Sequence, residues 1–147
     1  MSMASTPHLT EAQRERIERA LDAVPFARLL GLEVESVEPG RAVMSLPIRD
    51  DHKQNHGVVH GGAIASLIDS AMAFAIIPLL AENEHTTTVD LTIHYLRPLT
   101  EGKATAVARV VRAGRRVIAV SAEVMDQNER LVASAVSTYL RLTPDAD

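Results

Sequence analysis

The sequence predicts an α+β fold in which one long apolar helix, inserted early, packs on a sheet of five or six antiparallel strands. Three observations predict it. In residues 63–81 apolar side chains recur at spacing three and four (Ile64, Leu67, Ile68, Ala71, Met72, Ala75, Ile76, Leu79), the period of a helix buried along one wide face. Ala and Gly fill much of its remaining surface, so sheet backbone can approach it closely. The last third is a series of β-rich runs, 86–96, 103–112, 115–126 and 131–142, joined by short turns, which makes consecutive runs antiparallel neighbours. Residues 32–38 alternate apolar and acidic, and Pro39-Gly40 turns them into 41–48 as a hairpin.

The remaining elements follow in chain order. Residues 1–7 read as a disordered lead. Thr10-Glu11-Ala12-Gln13 is a capping box opening a helix to about residue 24, mostly charged on its face, with Ile17, Ala20, Leu21 and Val24 spaced to dock on the body. Pro25 stops it, and 26–30 form a short helical turn ended by Gly31. Pro47 has no N–H for a ladder and marks an edge or the end of its strand. Residues 49–56 are polar without period, a loop. Pro78 lies near the end of the long helix, and 81–85 form a polar loop.

Length and composition bound the rest. With 147 residues, 46% of them apolar, the chain suits one domain over 31–143, with the lead and helix of 1–30 belonging to it and a tail at 144–147. A net charge of −4 and 3% aromatic residues argue against a nucleic-acid partner, which needs clustered cations and stacking rings. Zero Cys removes disulfides, thiol nucleophiles and Cys metal sites. Nothing reads as a signal peptide or an uninterrupted 18-residue apolar span. The expectation is a cytoplasmic protein with no membrane partner.

The chemistry concentrates in Gln54-Asn55-His56-Gly57-Val58-Val59-His60-Gly61-Gly62 and in Asp69, an acid inside the apolar helix. A His-Gly-Gly segment running into a helix offers backbone N–H groups at its positive end, because the first amides have no intrahelical partner. That is a place to hold a carbonyl oxygen or an anion. On a helical wheel Asp69 falls on the rim of the apolar stripe beside Gly62, Ala65, Ser66 and Ala73, small residues that leave room for a ligand. A plainer reading is an Asp bonded to a Ser or Thr hydroxyl or paired with an Arg. The spacing adds a constraint. Gly61 and Asp69 lie roughly 12 Å apart at 1.5 Å rise per residue, whereas a carbonyl-polarising donor and a base both belong about 3 Å from one reacting group. If both act, two copies of this helix must pack antiparallel, giving an obligate homodimer with two composite sites.

These residues resemble the hotdog-fold acyl-CoA thioesterases, in particular the phenylacetate-pathway-like (PaaI-type) group. The resemblance is carried by Gln54-x-x-Gly57-x-x-His60-Gly61-Gly62 followed by Asp69, and by Thr88-Val89-Asp90-Leu91-Thr92-Ile93-x-Tyr95-Leu96-Arg97-Pro98. It spans about residues 32–142. It implies a helix wrapped by an antiparallel sheet, a site shared across a homo-oligomer (dimer or dimer of dimers), an acyl-CoA substrate and no cofactor, coenzyme A being part of the substrate. It also implies roles: Asp69 as general base or nucleophile, the Gly61 N–H as the carbonyl donor and His60 as support for the thioester end. Gln54 falls near the reacting carbonyl or water, and Thr88 where some relatives position water with a hydroxyl. Asn55 and Gly62 stand beside them as substrate contacts. Chemistry suits so small an apparatus, since a thioester is already reactive and one carboxylate plus helix-end amides can suffice. No Gly-x-Ser-x-Gly elbow occurs.

Rival readings of the same residues remain. His52, His56 and His60 recur every four residues near Asp50 and Asp51, which would suggest a metal only on a helix. Gly57-Val58-Val59 disfavours one, so no metal is expected, and His8, His85 and His94 are read as without a role. Arg97, Arg112, Arg115 and Arg116 are candidates for coenzyme A phosphates, the Gly114-Arg115-Arg116 turn being preferred because two guanidiniums on a flexible turn suit a phosphate; solvated charge is the alternative. Met72, Phe74, Ile76 and Ile77 suit an acyl pocket or the core equally. A non-catalytic acyl-CoA-binding hotdog domain is the alternative to a hydrolase, though the roughly 25 residues ahead of the fold are too few for an attached DNA-binding module. A dehydratase is a third, which the motif order disfavours.

Overall fold

The structure is a computed structural model describing residues 8–144; the lead at residues 1–7 and residues 145–147 of the tail lie outside the described residues. Helix α1 is Glu11–Asp22 and α2 is Pro25–Leu30; strands β1 (Glu33–Glu38) and β2 (Arg41–Pro47) precede the long helix α3 (Gly61–Ile76). Strands β3 (His85–Tyr95), β4 (Lys103–Ala113), β5 (Val117–Met125) and β6 (Leu131–Leu142) complete one six-stranded antiparallel sheet that packs against α3.

Local chemistry explains the boundaries. Gln13 N donates to Thr10 Oγ1 and Thr10 N to Gln13 Oε1, the two halves of the capping box. Pro25 occupies the first position of α2, and Gly31 closes it at φ 75, a left-handed conformation that glycine adopts without strain. Helix α3 ends earlier than the apolar period suggests. Residues Ile77–Leu79 form a 3-10 turn containing Pro78, whose ring and missing N–H cannot continue the α ladder. At its other end the helix begins at Gly61, with His60 as N-cap.

The core is the space between α3 and the sheet. Ile64, Leu67, Ile68, Ala71, Met72, Ala75 and Ile76 are buried on the helix. Facing them, β2 offers Ala42, Met44 and Leu46, β4 offers Ala104, Ala106 and Ala108, and β5 offers Ile118, Val120, Ala122 and Val124. The period-2 burial and the alanines of β4 let helix and sheet approach closely. By length and composition alone Gly61–Leu79 is apolar enough to cross a membrane, although Asp69 interrupts it. Here the stretch is the core helix.

Two further features differ from the sequence expectation. The sheet order is β1-β2-β4-β5-β6-β3, so β3 and β4, although joined by a short connection, are not neighbours. The connection crosses the sheet's end over the start of α3. Leu96 N donates to Val132 O in β6, Val59 N to Leu99 O, and Ile48 N, just past β2, to Gly102 O. Burying Leu99 under this crossing favours it over a hairpin. Pro47 closes β2, an interior strand pairing with both β1 and β4, so it marks a strand end. The second difference is a β-bulge in β3, where the register shifts between Thr88 and Asp90.

The loop after α3 is tied down by charge. Arg16 of α1 donates to Leu80 O, Ala81 O and Glu84 O. Glu84 accepts from Ala81 N and from Arg141 Nη1, each at 2.8 Å. The Ala81 amide, then the Arg141 guanidinium, hold the Glu84 carboxyl below its usual range. A carboxylate depressed in the folded state adds stability above its unfolded value of 4.5 and loses it as the pH falls through the folded value. Glu84→Gln is therefore expected to lower the thermal midpoint at neutral pH, with the gap to wild type closing below pH 4.5, as melting curves across an acid series will show.

Candidate active site

Two polar clusters lie on α3. The first surrounds its N-terminus. His60 takes an extended conformation (φ −63, ψ 134), and its Nδ1 accepts from Gly62 N at 2.8 Å. An accepting Nδ1 carries no proton, so the neutral ring holds its proton on Nε2. Ala63 N donates to His60 O. The Gly61 N–H thus remains as a first-turn amide with no acceptor among the described residues. Tyr95, from the end of β3, donates its hydroxyl to Gly61 O at 2.8 Å and lays its ring so that a Cβ on Gly61 would sit 3.2 Å from Tyr95 Cζ. Partial desolvation of its half-exposed ring raises the Tyr95 phenol above its ordinary value. A cavity of about 290 Å³ opens here, lined by Gln54, Val58, Gly61, Ile64, Tyr95, Leu96 and Arg97 among others.

The second cluster lies two turns along. Asp69 Oδ1 accepts from Tyr139 Oη at 2.6 Å and from Thr88 Oγ1 at 2.9 Å. The same Tyr139 hydroxyl lies 3.0 Å from the Asp69 main-chain oxygen, the longer arm of a hydrogen bond that shares its one hydrogen. Thr88 on β3 and Tyr139 on β6 are register partners, and directly paired residues share a sheet face. Tyr139 is 1% exposed. Burial, then the adjoining carboxylate, push its phenol far above the ordinary range, so it stays protonated. No donor among the described residues reaches Asp69 Oδ2.

The structure therefore brings Gln54, Gly61 and Arg97 to one cavity, leaves His60 and Gly62 beside Gly61 at the helix end without lining that cavity, and sets Asp69 with Thr88 apart from them. Asn55 is exposed on the turn before Gly57 and does not line the cavity. Arg97 donates to Leu131 O at 3.2 Å. Arg112, Arg115 and Arg116 line a separate surface cavity at the β4–β5 turn. That turn lies toward the C-terminal end of α3, where Gly40 bridges Ala75 O and Val110 N. Within one chain it is remote from Gly61.

Histidine placement bears on the metal reading. His52 turns inward, its Nδ1 accepting from Arg49 N at 3.1 Å and its Nε2 lying 2.8 Å from Leu30 O. Among the described residues no group of three His, Cys, Asp or Glu side chains could hold a metal ion.

Sequence reasoning gave no role to either tyrosine. For Tyr139 a signal existed. It falls on the inward parity of the last strand, with Ala133, Ala135 and Ser137, and a buried tyrosine hydroxyl needs a partner. The one acid on the facing helix is Asp69.

Comparison with known proteins agrees with this architecture. A family model described as the thioesterase superfamily matches residues 56–133. The chain is 30% identical over 132 residues to the medium/long-chain acyl-CoA thioesterase YigI of Salmonella typhimurium, covering 80% of this chain and 85% of that protein. It is 26% identical to acyl-coenzyme A thioesterase 13 of Homo sapiens over 121 residues, 81% of this chain and 86% of that one. Among solved structures, the Escherichia coli PaaI protein from the phenylacetic acid degradation operon superposes with a TM-score of 0.83 at 25% identity, over 92% of this chain and 96% of that one.

Proposed function

The chain belongs to the thioesterase superfamily, and on that footing we propose that it hydrolyses acyl-CoA thioesters at a site shared between two copies of the chain. It is a thioester hydrolase by family; the acyl-CoA substrate, the residue roles and the shared site are our reading. The observation that carries it is the presence on one helix of an unclaimed amide, Gly61 N–H, and a carboxylate with an open oxygen, Asp69 Oδ2.

In this reading the Gly61 N–H, at the positive end of α3, polarises the thioester carbonyl. Asp69 takes a proton from water as its oxygen attacks the carbonyl carbon, or attacks that carbon itself and is released by water. Either way the C–S bond breaks, the acyl group leaves as a carboxylic acid, and the thiolate takes up a proton as free coenzyme A. The Nε2–H of His60 and the amide of Gln54 face the thioester end, and Arg97, Arg115 and Arg116 offer charge to the phosphates. The reaction calls on no metal or redox cofactor.

The roughly 12 Å between Gly61 and Asp69 on one rigid helix supports the shared site, as does the sheet edge. Strand β3 is an end strand of eleven residues with Val89, Tyr95 and the adjacent Leu96 more than half exposed. A long, uncovered edge of this kind invites pairing with another strand, and a second copy brought there sets its α3 beside the first. We place this activity in the cytoplasm.

A thiol-release assay over short, medium, long and aromatic acyl-CoA substrates tests the activity, and a mixing experiment tests the sharing. Asp69→Ala chains and Gln54→Ala chains, each weak alone, are expected to recover up to about half of wild-type turnover per verified heterodimer, because one of its two sites is intact. Heterodimers no better than the parents would put Gln54 and Asp69 in the same chain's site, and no thiol release from any acyl-CoA would dismiss the hydrolase.

A further inference from the structure

We infer that Tyr139 is a positioning residue for Asp69: with Thr88 it commits Oδ1 and turns Oδ2 outward as the oxygen that reacts. The inference rests on Asp69 as the acting carboxylate and adds which of its atoms acts and what aims it.

The argument begins with the torsion that sets the carboxylate plane. The χ2 angle of aspartate is broad and nearly twofold, so an unheld carboxylate exchanges its oxygens and leaves neither aimed. Two hydroxyls on different strands remove that freedom. Tyr139 reaches Oδ1 at 2.6 Å from β6 and Thr88 reaches it at 2.9 Å from β3. Tyr139 is itself anchored, being buried and sharing its hydrogen with the Asp69 main-chain oxygen. A group that bonds both main chain and side chain of one residue fixes the side chain relative to its helix. The raised phenol value agrees, since the donor cannot ionise beside the acid it holds.

The β3 bulge completes the arrangement. Thr86 and the register pair Thr88 and Tyr139 precede it, and Leu91 and Ile93 after it pack on the core. A strict period of two would place Thr88 opposite Leu91 and Ile93. The extra residue, Val89, lets both sets face α3. Val89 itself is 55% exposed.

Steady-state kinetics of Tyr139→Phe, Thr88→Val and Thr88→Ser test the inference. Misplacing a reacting atom by about 1 Å costs up to about 100-fold. Tyr139→Phe is expected to lower kcat about 10- to 100-fold, with KM within about twofold of wild type. Thr88→Val is expected to lower kcat less, and Thr88→Ser to restore it. In an Asp69→Asn background the Tyr139→Phe loss is expected to vanish, because a residue acting through Asp69 has nothing left to position. Unchanged kcat in Tyr139→Phe, or an equal loss with and without the Asp69 carboxylate, overturns the inference while leaving the hydrolase reading intact. Absence of thiol release from the wild-type chain overturns both. Should Tyr139→Phe fail to fold, the Thr88 pair decides: a loss in Val that Ser does not restore, or one that persists unchanged in the Asp69→Asn background, counts against the clamp.

Discussion

Asp69→Asn is expected to lower acyl-CoA turnover about 10³-fold, the order that one proton-transferring or attacking carboxylate supplies, while leaving the melting temperature nearly unchanged. The substitution keeps the shape of the side chain. Its Oδ1 can still accept from Tyr139 and Thr88, the two hydroxyls that hold Asp69 Oδ1, so the link between α3, β3 and β6 survives. What changes is the outward atom. In place of Oδ2, which no donor among the described residues reaches, stands an amide nitrogen that neither accepts a proton nor attacks a carbonyl carbon. Thiol release at saturating substrate, measured with a melting curve on the same preparation, separates loss of chemistry from loss of fold. Turnover within tenfold of wild type would remove Asp69 from the reaction.

That prediction is legible in the sequence only up to a point. The apolar stripe from Ile64 to Ile76 and the Thr10-Gln13 capping box depend on neighbours along the chain, and the structure reproduces both. The Gly61 amide was legible for the same reason, since a helix start is a local event. Asp69 stood out because an acid interrupts the stripe, but its partners come from strands distant in sequence. The plainer reading of Asp69, an acid bonded to a hydroxyl, describes Oδ1 as the structure has it; it does not account for Oδ2.

Where the sequence misled, the cause is non-local. The residues Val89, Leu91, Ile93 and Tyr95 form an unbroken alternating apolar set, which points Val89 inward and Thr88 away. The bulge reverses that parity for the first half of the strand, and a bulge is decided by what the strand must reach on the neighbouring helix. The β3–β4 connection misled similarly. Its length suits a hairpin, yet Leu99 is buried and pairs with Val59 near the start of α3, a contact that local pattern does not encode. Both departures border the two polar clusters, where local preference yields to the needs of a site.

Gly61→Pro is expected to reduce kcat/KM about 10²- to 10³-fold relative to Gly61→Ala, the loss associated with one donor to a developing oxyanion. Proline deletes the N–H and asks little of the fold. Gly61 is the first residue of α3, a position where proline is favoured because the amide has no intrahelical partner. His60 already holds φ −63 and ψ 134, the extended region required of a residue before proline. The remaining cost is the new Cβ, 3.2 Å from Tyr95 Cζ. Since Tyr95 is 53% exposed, its ring can yield a few tenths of an ångström. Alanine introduces the same Cβ and keeps the N–H, so the ratio of the two variants isolates the hydrogen. Alanine alone is expected to cost less than about tenfold, chiefly through the displaced Tyr95 ring and its bond to Gly61 O. Equal rates in the two variants, with both folded by melting curve, would show that the carbonyl is held by some group other than the Gly61 amide.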